Sequence, residues 1–315
     1  MSAVTGHCIR ICIFWIHFCH TLFCKTPEPV EESAMRLATV RTSEGTSAGR
    51  VADTHIELLP FRDVGELLGA GPDWRVMAEG PAIASIELAD ADFAPLVPKP
   101  EKIICVGANY QGHLAEIGLP KPEYPTVFAK YSRALIGAND PIALSSESSG
   151  IDWEVELGVI IGSPIRHATT AEALDAVAGY TIINDISMRD WQVRTSQFLQ
   201  GKTFEATTPI GPYLVTPDEV DHAGNLRMTC SVDGAVMQAA RTGEMLFPVA
   251  ELLSYLSTII TLVPGDVIAT GTPEGVGAFH RPPKYLAAGQ IVTTEIEGLG
   301  RQVNRCRADT DALAG

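Results

Sequence analysis

Two glutamates, Glu154 and Glu156, are separated by a single residue in the stretch 151–161. Valine and isoleucine recur along this stretch and glycine bounds it on both sides, which predicts a β-strand. Successive side chains of a strand point to opposite faces, so both carboxylates leave the same face. Like charges this close repel unless a partner neutralises them, and hard cations such as Mg²⁺, Mn²⁺ or Ca²⁺ take carboxylate ligands. A solvated strand face has the same pattern, and spacing alone is compatible with both interpretations.

Asp185 is the third carboxylate that the sequence singles out. It ends an apolar run that begins at Tyr180 and that predicts a buried strand. Acidic side chains are seldom buried without a partner, so a carboxylate at this position needs a physical reason. Ligation of the same cation would supply one, which makes Asp185 the third candidate ligand.

His113 and Glu116 are the candidates for acid–base chemistry. They follow an apolar run at 103–107, and three prolines between 120 and 125 prevent a long helix beyond them. Residues three positions apart are neighbours on a short helix. A carboxylate beside an imidazole orients it and raises its basicity, as a general base requires. A surface ion pair has the same spacing, and the sequence alone leaves that alternative open.

Lys202 and the glycine-rich stretch 269–277 lie in predicted loops. The lysine could meet an anion or be solvated. The stretch lacks both the Gly-x-Gly-x-x-Gly pattern and the lysine of a phosphate-binding loop, so it does not favour a nucleotide site. The His-Glu-x-x-His motif is absent from the sequence, which argues against zincin chemistry.

The elements that must position these side chains fall into two predicted regions. Residues 35–97 are predicted to form a small α+β module with a strand at 37–41 and a helix at 64–69. A proline-marked linker at 93–100 predicts the domain boundary. Further predicted elements are strands at 103–107, 127–130 and 142–144, a helix at 171–178 between Thr169 and Gly179, and two to four strands within 213–270.

Charge and cysteine usage narrow the function class. Lysine and arginine total 23 and aspartate and glutamate total 38, so the formal net charge is 23 − 38 = −15. This acidity argues against nucleic acid or an anionic membrane as the main partner. An anionic substrate would need a locally positive site, most simply a bound cation. Four of the seven cysteines lie in the first 24 residues, and the three scattered others are typical of a reduced, cytoplasmic protein.

The first 34 residues differ in composition from the rest. The apolar run from 11 to 24 has 14 residues, too few to span a bilayer as a helix, and no small-x-small cleavage site follows it. Its cysteines and histidines lack Cys-x2-Cys spacing, which argues against a zinc site. We predict that this segment is an extension upstream of a natural start at Met35, with a leader peptide as the alternative.

Five blocks taken together resemble the fumarylacetoacetate hydrolase superfamily, in particular its bacterial acylpyruvases and fumarylpyruvate hydrolase-like members. In order and spacing they cover residues 102 to about 307. The blocks are Gly107-Ala108-Asn109-Tyr110 with His113 and Glu116, the stretch 153–158, the stretch 180–190, Gly201-Lys202, and Thr270-Gly271-Thr272-Pro273 with the glycines at 275 and 277.

The resemblance implies a mixed α+β, mainly β fold: a curled mixed β-sheet (β-roll) catalytic domain over 98–312, beside the small N-terminal α+β domain. It also implies a homodimer and a bound Mg²⁺ or Mn²⁺, with Ca²⁺ as a substitute. The implied metal ligands are Glu154, Glu156 and Asp185. The implied catalytic residues are His113, Glu116 and Lys202, and the implied substrate-binding residues are Gln192, Gly271, Thr272 and Arg189.

The activity that the resemblance implies is metal-dependent hydrolysis of a C–C bond in 2,4-dioxo acids, of the fumarylpyruvate or acylpyruvate type, in aromatic catabolism. Decarboxylation of oxaloacetate and isomerisation of 2-hydroxyhepta-2,4-diene-1,7-dioate would use the same site, since all three reactions pass through an enolate. The His113–Glu116 pair favours hydrolysis. A metal-stabilised protein that binds small acids without turnover, or a sheet-based module for a protein partner, are the alternatives outside enzymology.

Overall fold

This computed structural model describes residues 34–309, which contain eighteen β-strands and seven α-helices. The strands are β1 Arg36–Thr42, β2 Gly45–Val51, β3 His55–Leu58, β4 Ala84–Glu87, β5 Ile103–Gly107, β6 Thr126–Lys130, β7 Leu135–Ile136, β8 Ile142–Leu144, β9 Ile151–Asp152, β10 Val155–Ile161, β11 Val177–Asn184, β12 Ser187–Met188, β13 Thr208–Val215, β14 Arg227–Val232, β15 Ala235–Arg241, β16 Val267–Ala269, β17 Ile291–Ile296 and β18 Gly300–Ala308. The helices are α1 Val64–Gly69, α2 Trp74–Ala78, α3 Gln111–Ile117, α4 Thr170–Asp175, α5 Arg189–Gln192, α6 Leu199–Lys202 and α7 Val249–Ile259. The predictions for residues 1–34 lie almost wholly outside the described residues.

The largest sheet has eleven strands in the order β4-β3-β2-β1-β13-β11-β10-β16-β5-β6, with β7 attached to β13. Most neighbours are antiparallel, whereas β16 pairs with β5, and β7 with β13, in parallel. A second sheet has the order β15-β14-β17-β18-β8. Both sheet directions occur together with short helices, so the mixed α+β, mainly β architecture is confirmed.

Two hydrophobic cores cover the faces of β10, the strand that carries Glu156. Leu157 and Val159 belong to one core, which includes residues of the second sheet such as Met228. Ile160 belongs to another core, which includes Leu67 of α1. The alternation follows from the two-residue repeat of a strand, and every residue of β10 is buried because both faces are covered.

The N-terminal strands continue the large sheet. β1 pairs with β13 antiparallel, and the Thr216 hydroxyl accepts from the Met35 amide at 2.9 Å. A single core cluster contains Leu37 of β1 and Ile103 of β5. These contacts join the predicted N-terminal module to the predicted catalytic domain, and the division at residue 97 stays a prediction.

The strand predicted over 151–161 is interrupted. β9 ends at Asp152 and β10 begins at Val155, so Trp153 and Glu154 lie between the two strands. β9 pairs with β12, whereas β10 lies in the large sheet. The break turns Glu154 toward Asp185, whose amide donates to the Glu154 carbonyl at 2.8 Å.

Two other local predictions were wrong, and one helix was not predicted. Helix α4, predicted over 171–178, ends at Asp175, and Gly179 lies within β11, because sheet pairing with β10 takes over from Val177. Lys202 was predicted in a loop but ends the one-turn helix α6. Helix α7 was not predicted, although its buried positions Val249, Leu252, Leu253 and Leu256 have the spacing of an amphipathic helix.

Within residues 34–309, no helix has the length and apolar character that crossing a membrane requires.

Candidate metal centre and active site

Glu154, Glu156 and Asp185 come together in the fold. Their side chains are 4%, 1% and 0% exposed, and one oxygen of each lies within 4.8 Å of an oxygen of the others. Each follows from its element: Glu154 lies in the break before β10, Glu156 lies on β10, and Asp185 follows the last residue of β11. The three carboxylates therefore converge in a buried cluster that could hold a divalent metal ion.

The loop that follows β16 fixes the ligand strand. The Gly271 amide donates to Glu156 Oε2 at 2.8 Å, and the Thr272 hydroxyl donates to the Val155 carbonyl at 2.9 Å. Gly271 has φ of +102°, and a Cβ there would lie 2.8 Å from the Cβ of Asn109. Glycine is thus required at this point, since a side chain would be both strained and crowded.

The two glutamates have opposite pKa shifts. Burial alone would raise the pKa of Glu154, but Arg189 and Lys202 outweigh burial and hold it at about 2. Burial raises the pKa of Glu156 well above its ordinary value, and the charges of Asp185 and Glu154 add to the rise. No lysine or arginine of the described chain forms an ion pair with Glu156. Its charge therefore lacks the direct partner that a divalent cation would provide.

Three buried cations surround the cluster. Lys202 Nζ lies 2.5 Å from Glu154 Oε2 and 2.9 Å from Asp185 Oδ2. Lys130 Nζ lies 2.5 Å from Asp185 Oδ1, and Arg189 Nη1 lies 2.7 Å from Glu154 Oε1. Burial would lower the pKa of Lys202, but Asp185 and Glu154 outweigh it and raise the pKa, so the ammonium stays charged. Each cation is held in place by the carboxylates themselves.

Sequence reasoning missed Lys130 and Asp152. Asp152 is fully buried and accepts from Arg189 Nε at 2.8 Å and from the amides of Gly277 and Ala278. Asp152 thereby ties Arg189 to the loop beyond β16. Both residues carried a usable signal: Lys130 is a lone charge ending a predicted strand, and Asp152 is two positions before Glu154.

His113 and Glu116 form a hydrogen-bonded pair on α3. The Nδ1–Oε2 distance is 3.0 Å, and the other carboxylate oxygen of Glu116 accepts from the Gly275 amide at 3.0 Å. Because Glu116 accepts from Nδ1, the tautomer that this pair favours leaves Nε2 without a proton. His113 is 7% exposed, and its ring packs edge-on against Phe279, at 6.4 Å between centroids. The imidazole is therefore oriented by Glu116 and largely buried, and the two residues are not a solvated ion pair.

His113, Glu154 and Glu156 line the same cavity, which has a volume of about 400 Å³. Arg189, Gln192, Lys202 and Thr272 also line it, whereas Asp185, Gly271 and Glu116 do not. Gly271 and Glu116 form hydrogen bonds with the lining residues Glu156 and His113. The Thr272 hydroxyl is already engaged with Val155 and Gln238. Arg189 Nη2 is buried and has no hydrogen-bond partner within residues 34–309.

The donor set fits a hard divalent cation. Three buried carboxylates offer only oxygen, the ligand type that Mg²⁺, Mn²⁺ and Ca²⁺ prefer. The raised pKa of Glu156 shows that positive charge is in deficit at this point of the cluster. Glu154, Glu156 and Asp185 are therefore the residues that would hold the ion.

Several known proteins are similar to this chain in sequence or in structure. The mitochondrial oxaloacetate tautomerase FAHD2A of Bos taurus is 44% identical over 219 residues, which are 69% of this chain and 70% of the relative. The solved structure of the fumarylacetoacetate hydrolase from psychrophilic Exiguobacterium antarcticum superposes with a TM-score of 0.78, at 31% identity over 87% of this chain and 99% of that one.

The 2-hydroxyhepta-2,4-diene-1,7-dioate isomerase from Mycobacterium marinum superposes with a TM-score of 0.72, at 31% identity over 87% of this chain and 98% of that one. The profile of the fumarylacetoacetate hydrolase C-terminal family matches residues 102–307, which include every element of the site described above. The chain is thus an enzyme of the fumarylacetoacetate hydrolase family.

Proposed function

We propose that the protein is a metal-dependent hydrolase that cleaves the C3–C4 bond of 2,4-dioxo acids of the acylpyruvate type. The observation that carries this proposal is the oriented His113–Glu116 pair in the same cavity as the carboxylate cluster. Hydrolysis needs a base to activate water, whereas loss of CO₂ from a 2-oxo acid does not. A base held by a second carboxylate serves the first reaction specifically.

The head of the substrate, its carboxylate and 2-oxo group, would occupy the inner end of the cavity. An ion held by Glu154, Glu156 and Asp185 would supply Lewis acidity there. The amide hydrogens of Gln192, which lines the cavity, are available to a substrate oxygen, since its carbonyl oxygen accepts from Arg189 Nη1 at 3.0 Å.

His113 Nε2 would take a proton from water as the water oxygen attacks C4. The C3–C4 bond then breaks, and its electron pair goes to the pyruvate enolate, while C4 leaves as a carboxylic acid. Lys202, charged and buried, stabilises the negative charge that develops near it. Protonated His113 returns the proton to C3 of the enolate, which gives pyruvate and restores the base. Glu116 stabilises the imidazolium between these two transfers.

A second candidate is keto–enol tautomerisation or decarboxylation of oxaloacetate. A relative 44% identical to this chain is an oxaloacetate tautomerase, which favours this alternative. Isomerisation of 2-hydroxyhepta-2,4-diene-1,7-dioate is the corresponding alternative from a structural relative. In these reactions His113 would move a proton on carbon, or take no part, and no water would be consumed.

A panel of substrates tests the proposal. Acetylpyruvate and fumarylpyruvate are followed by loss of their absorbance with Mg²⁺, beside oxaloacetate followed by enol absorbance and by pyruvate release. We expect pyruvate and the free acid from the dioxo acids. Turnover of oxaloacetate alone would favour the second candidate instead, and turnover of neither substrate class would contradict both candidates.

Metal removal is the companion measurement. We expect that EDTA abolishes turnover and that Mg²⁺ or Mn²⁺ restores it, because only oxygen ligands converge at the cluster. Glu156→Gln should raise the metal concentration needed for half-maximal activity. Glu251→Gln, an equal change of charge at an exposed position of α7, is the matched control and should leave that concentration unchanged. Full activity after exhaustive chelation would contradict the proposal that activity depends on a bound metal ion.

A further inference from the structure

The mouth of the active-site cavity has an apolar rim, formed by Leu119, Val193 and Phe279. These side chains are 57%, 78% and 45% exposed, and all three line the cavity that contains Glu154 and Glu156. Large apolar side chains that lie exposed around a cavity are typical of a surface that a ligand covers. The rim is therefore positioned to contact the part of a substrate that lies farthest from the carboxylate cluster.

The walls between the rim and the cluster are also apolar. Phe128 and Phe198 face each other edge to face, at 5.8 Å between ring centroids, and both line the cavity with Ile117. Lys202 Nζ lies 5.2 Å from the centroid of Phe128, which marks the point where the charged inner end meets the apolar part. A ligand that extends outward from the cluster thus passes from charged to apolar surroundings.

The charged side chains that line the cavity are all used at its inner end. Glu154 and Glu156 belong to the carboxylate cluster, and Lys202 pairs with Glu154 and Asp185. Arg189 pairs with Glu154 and Asp152. Within residues 34–309, no other lysine or arginine lines this cavity. A second carboxylate on the outer part of a substrate would find no cation there.

We infer that the enzyme prefers monoanionic 2-oxo acids whose tail, beyond C4, is an apolar alkyl or aryl group, over dianionic acids with a carboxylate at the far end. The inference rests on the proposed function, because that function places the carboxylate and 2-oxo group at the inner end. It narrows the substrate class from acylpyruvates in general to those with an apolar acyl group, and it disfavours fumarylpyruvate.

The affinity for 2-oxo acids that the enzyme cannot cleave tests this preference independently of catalysis. Saturated 2-oxo acids lack the 4-oxo group and cannot be cleaved, so calorimetric titration into the full chain with excess Mg²⁺ gives affinity alone. From 2-oxobutyrate to 2-oxooctanoate, Kd should fall about two- to four-fold for each added methylene that becomes buried. 2-Oxooctanedioate, of equal length but with a terminal carboxylate, should bind at least about ten-fold more weakly than 2-oxooctanoate, since that charge would be desolvated without a partner.

A cation placed on the rim should reverse the preference. Val193→Arg is expected to tighten 2-oxooctanedioate binding by about three- to ten-fold and to weaken 2-oxooctanoate. Val236→Arg is the matched control: it adds the same charge at a position 66% exposed on β15, outside the cavity, and should change neither Kd. Equal tightening by both variants would mean that net charge, and not the rim, controls the preference, and would overturn the inference.

The outcomes separate this inference from the proposed function. The expected order of affinities without cleavage of any dioxo acid would leave the tail preference standing and remove hydrolysis. If dioxo acids are cleaved but Kd does not change along the alkyl series, the tail preference is wrong and hydrolysis stands. The same holds if 2-oxooctanedioate binds as tightly as 2-oxooctanoate. Failure of every 2-oxo acid to bind would remove both.

Discussion

Glu154 and Glu156 are two residues apart in sequence but lie in opposite electrostatic surroundings. Arg189 and Lys202 keep Glu154 ionised, with a pKa of about 2, despite its burial. Glu156 is buried beside two other carboxylates, and its pKa is raised well above the ordinary value. In the metal-free protein, Glu156 is thus the one of the two glutamates that holds a proton more readily.

Metal binding should therefore release a proton from Glu156. Since the raised pKa favours the protonated carboxyl, metal affinity should fall as the pH falls through that pKa, and should level off above it. Calorimetric titration of Mn²⁺ between about pH 5 and 8, in buffers with different heats of protonation, measures the release. Glu156→Gln should abolish the release and weaken affinity at every pH. A release that persists in this variant would assign the proton to another group.

His113 should matter for hydrolysis far more than for decarboxylation. His113→Ala is expected to lower acylpyruvate hydrolysis by about 10²–10⁴-fold, the usual scale for loss of acid–base catalysis. Oxaloacetate decarboxylation needs no activated water and should suffer much less. Lys202→Ala should impair both reactions, because both develop negative charge near it. The measurement is kcat for each substrate and variant.

Two results would contradict that role for His113: equal losses in both reactions, or an unchanged rate of hydrolysis. Equal losses in both reactions would mean that the residue shapes or closes the cavity and does not specifically activate water. Glu116→Gln supplies the comparison, since it keeps a hydrogen-bond partner for Nδ1 but removes the charge that stabilises the imidazolium. It should lower hydrolysis less than His113→Ala does.

The candidate ligands could be predicted from the sequence because residue type and position carry the signal. Glu154, Glu156 and Asp185 stand at or beside strands where carboxylates are unusual, and the fold brings them within 4.8 Å of one another. The burial of Glu154 and the ion pair of Lys130 with Asp185 could not be predicted, since both depend on elements distant in sequence. Local pattern gives the candidates, and tertiary contacts decide their charge states.

At the scale of elements, local signals predicted α1 and β5 correctly, because each carries its own cap or uninterrupted apolar run. Prediction was wrong where long-range pairing overrides the local signal. Gly179 is a local signal for the end of a helix, but β11 already begins at Val177, so α4 is shorter than predicted. Helix α7 was missed since no polar cap precedes it: its N-cap position is Pro248.

The turn after β16 should not tolerate a side chain. Gly271→Ala is expected to destabilise the fold by about 1–3 kcal/mol, the usual cost of a strained backbone conformation, and to weaken metal affinity. The reason is the φ of +102° together with the 2.8 Å approach to Asn109, at the residue whose amide holds Glu156. Urea denaturation and metal titration measure the two effects.

Gly69→Ala is the control for that substitution. Gly69 is the last residue of α1, and a Cβ there would meet no atom within 4 Å. Alanine is a better helix former than glycine, so this change should leave stability unchanged or raise it by up to about 0.5–1 kcal/mol. Equal destabilisation by both variants would show that the geometry at Gly271 is not the cause.

At the scale of the whole molecule, a chain that starts at Met35 should fold and turn over like the full chain. All catalytic candidates lie beyond residue 102, and the Met35 amide already meets the Thr216 hydroxyl.

Cys105, Cys230 and Cys306 are buried, and burial raises the pKa of all three thiols. The shortened chain should therefore resist a thiol reagent until it is unfolded, and kinetic assays complete the test.

Insolubility or inactivity of the shortened chain would make residues 1–34 structural and the start-site prediction wrong. Immediate reaction of its thiols would show a loosened core, even if some activity survived. The predicted homodimer and cytoplasmic location, and the domain division at residue 97, belong to the same scale and stay predictions. Sedimentation of the full and shortened chains measures the oligomeric state directly.

The protein should fold without a bound metal ion, because Lys130, Lys202 and Arg189 offset most of the negative charge of the cluster. The charges of the cluster, with Asp152, are four carboxylates and three cations, which leaves 3 − 4 = −1 before any ion binds. So small an imbalance, reduced further by the raised pKa of Glu156, should not prevent the core from closing. We expect the metal-free chain to be folded and to become active when the ion is added.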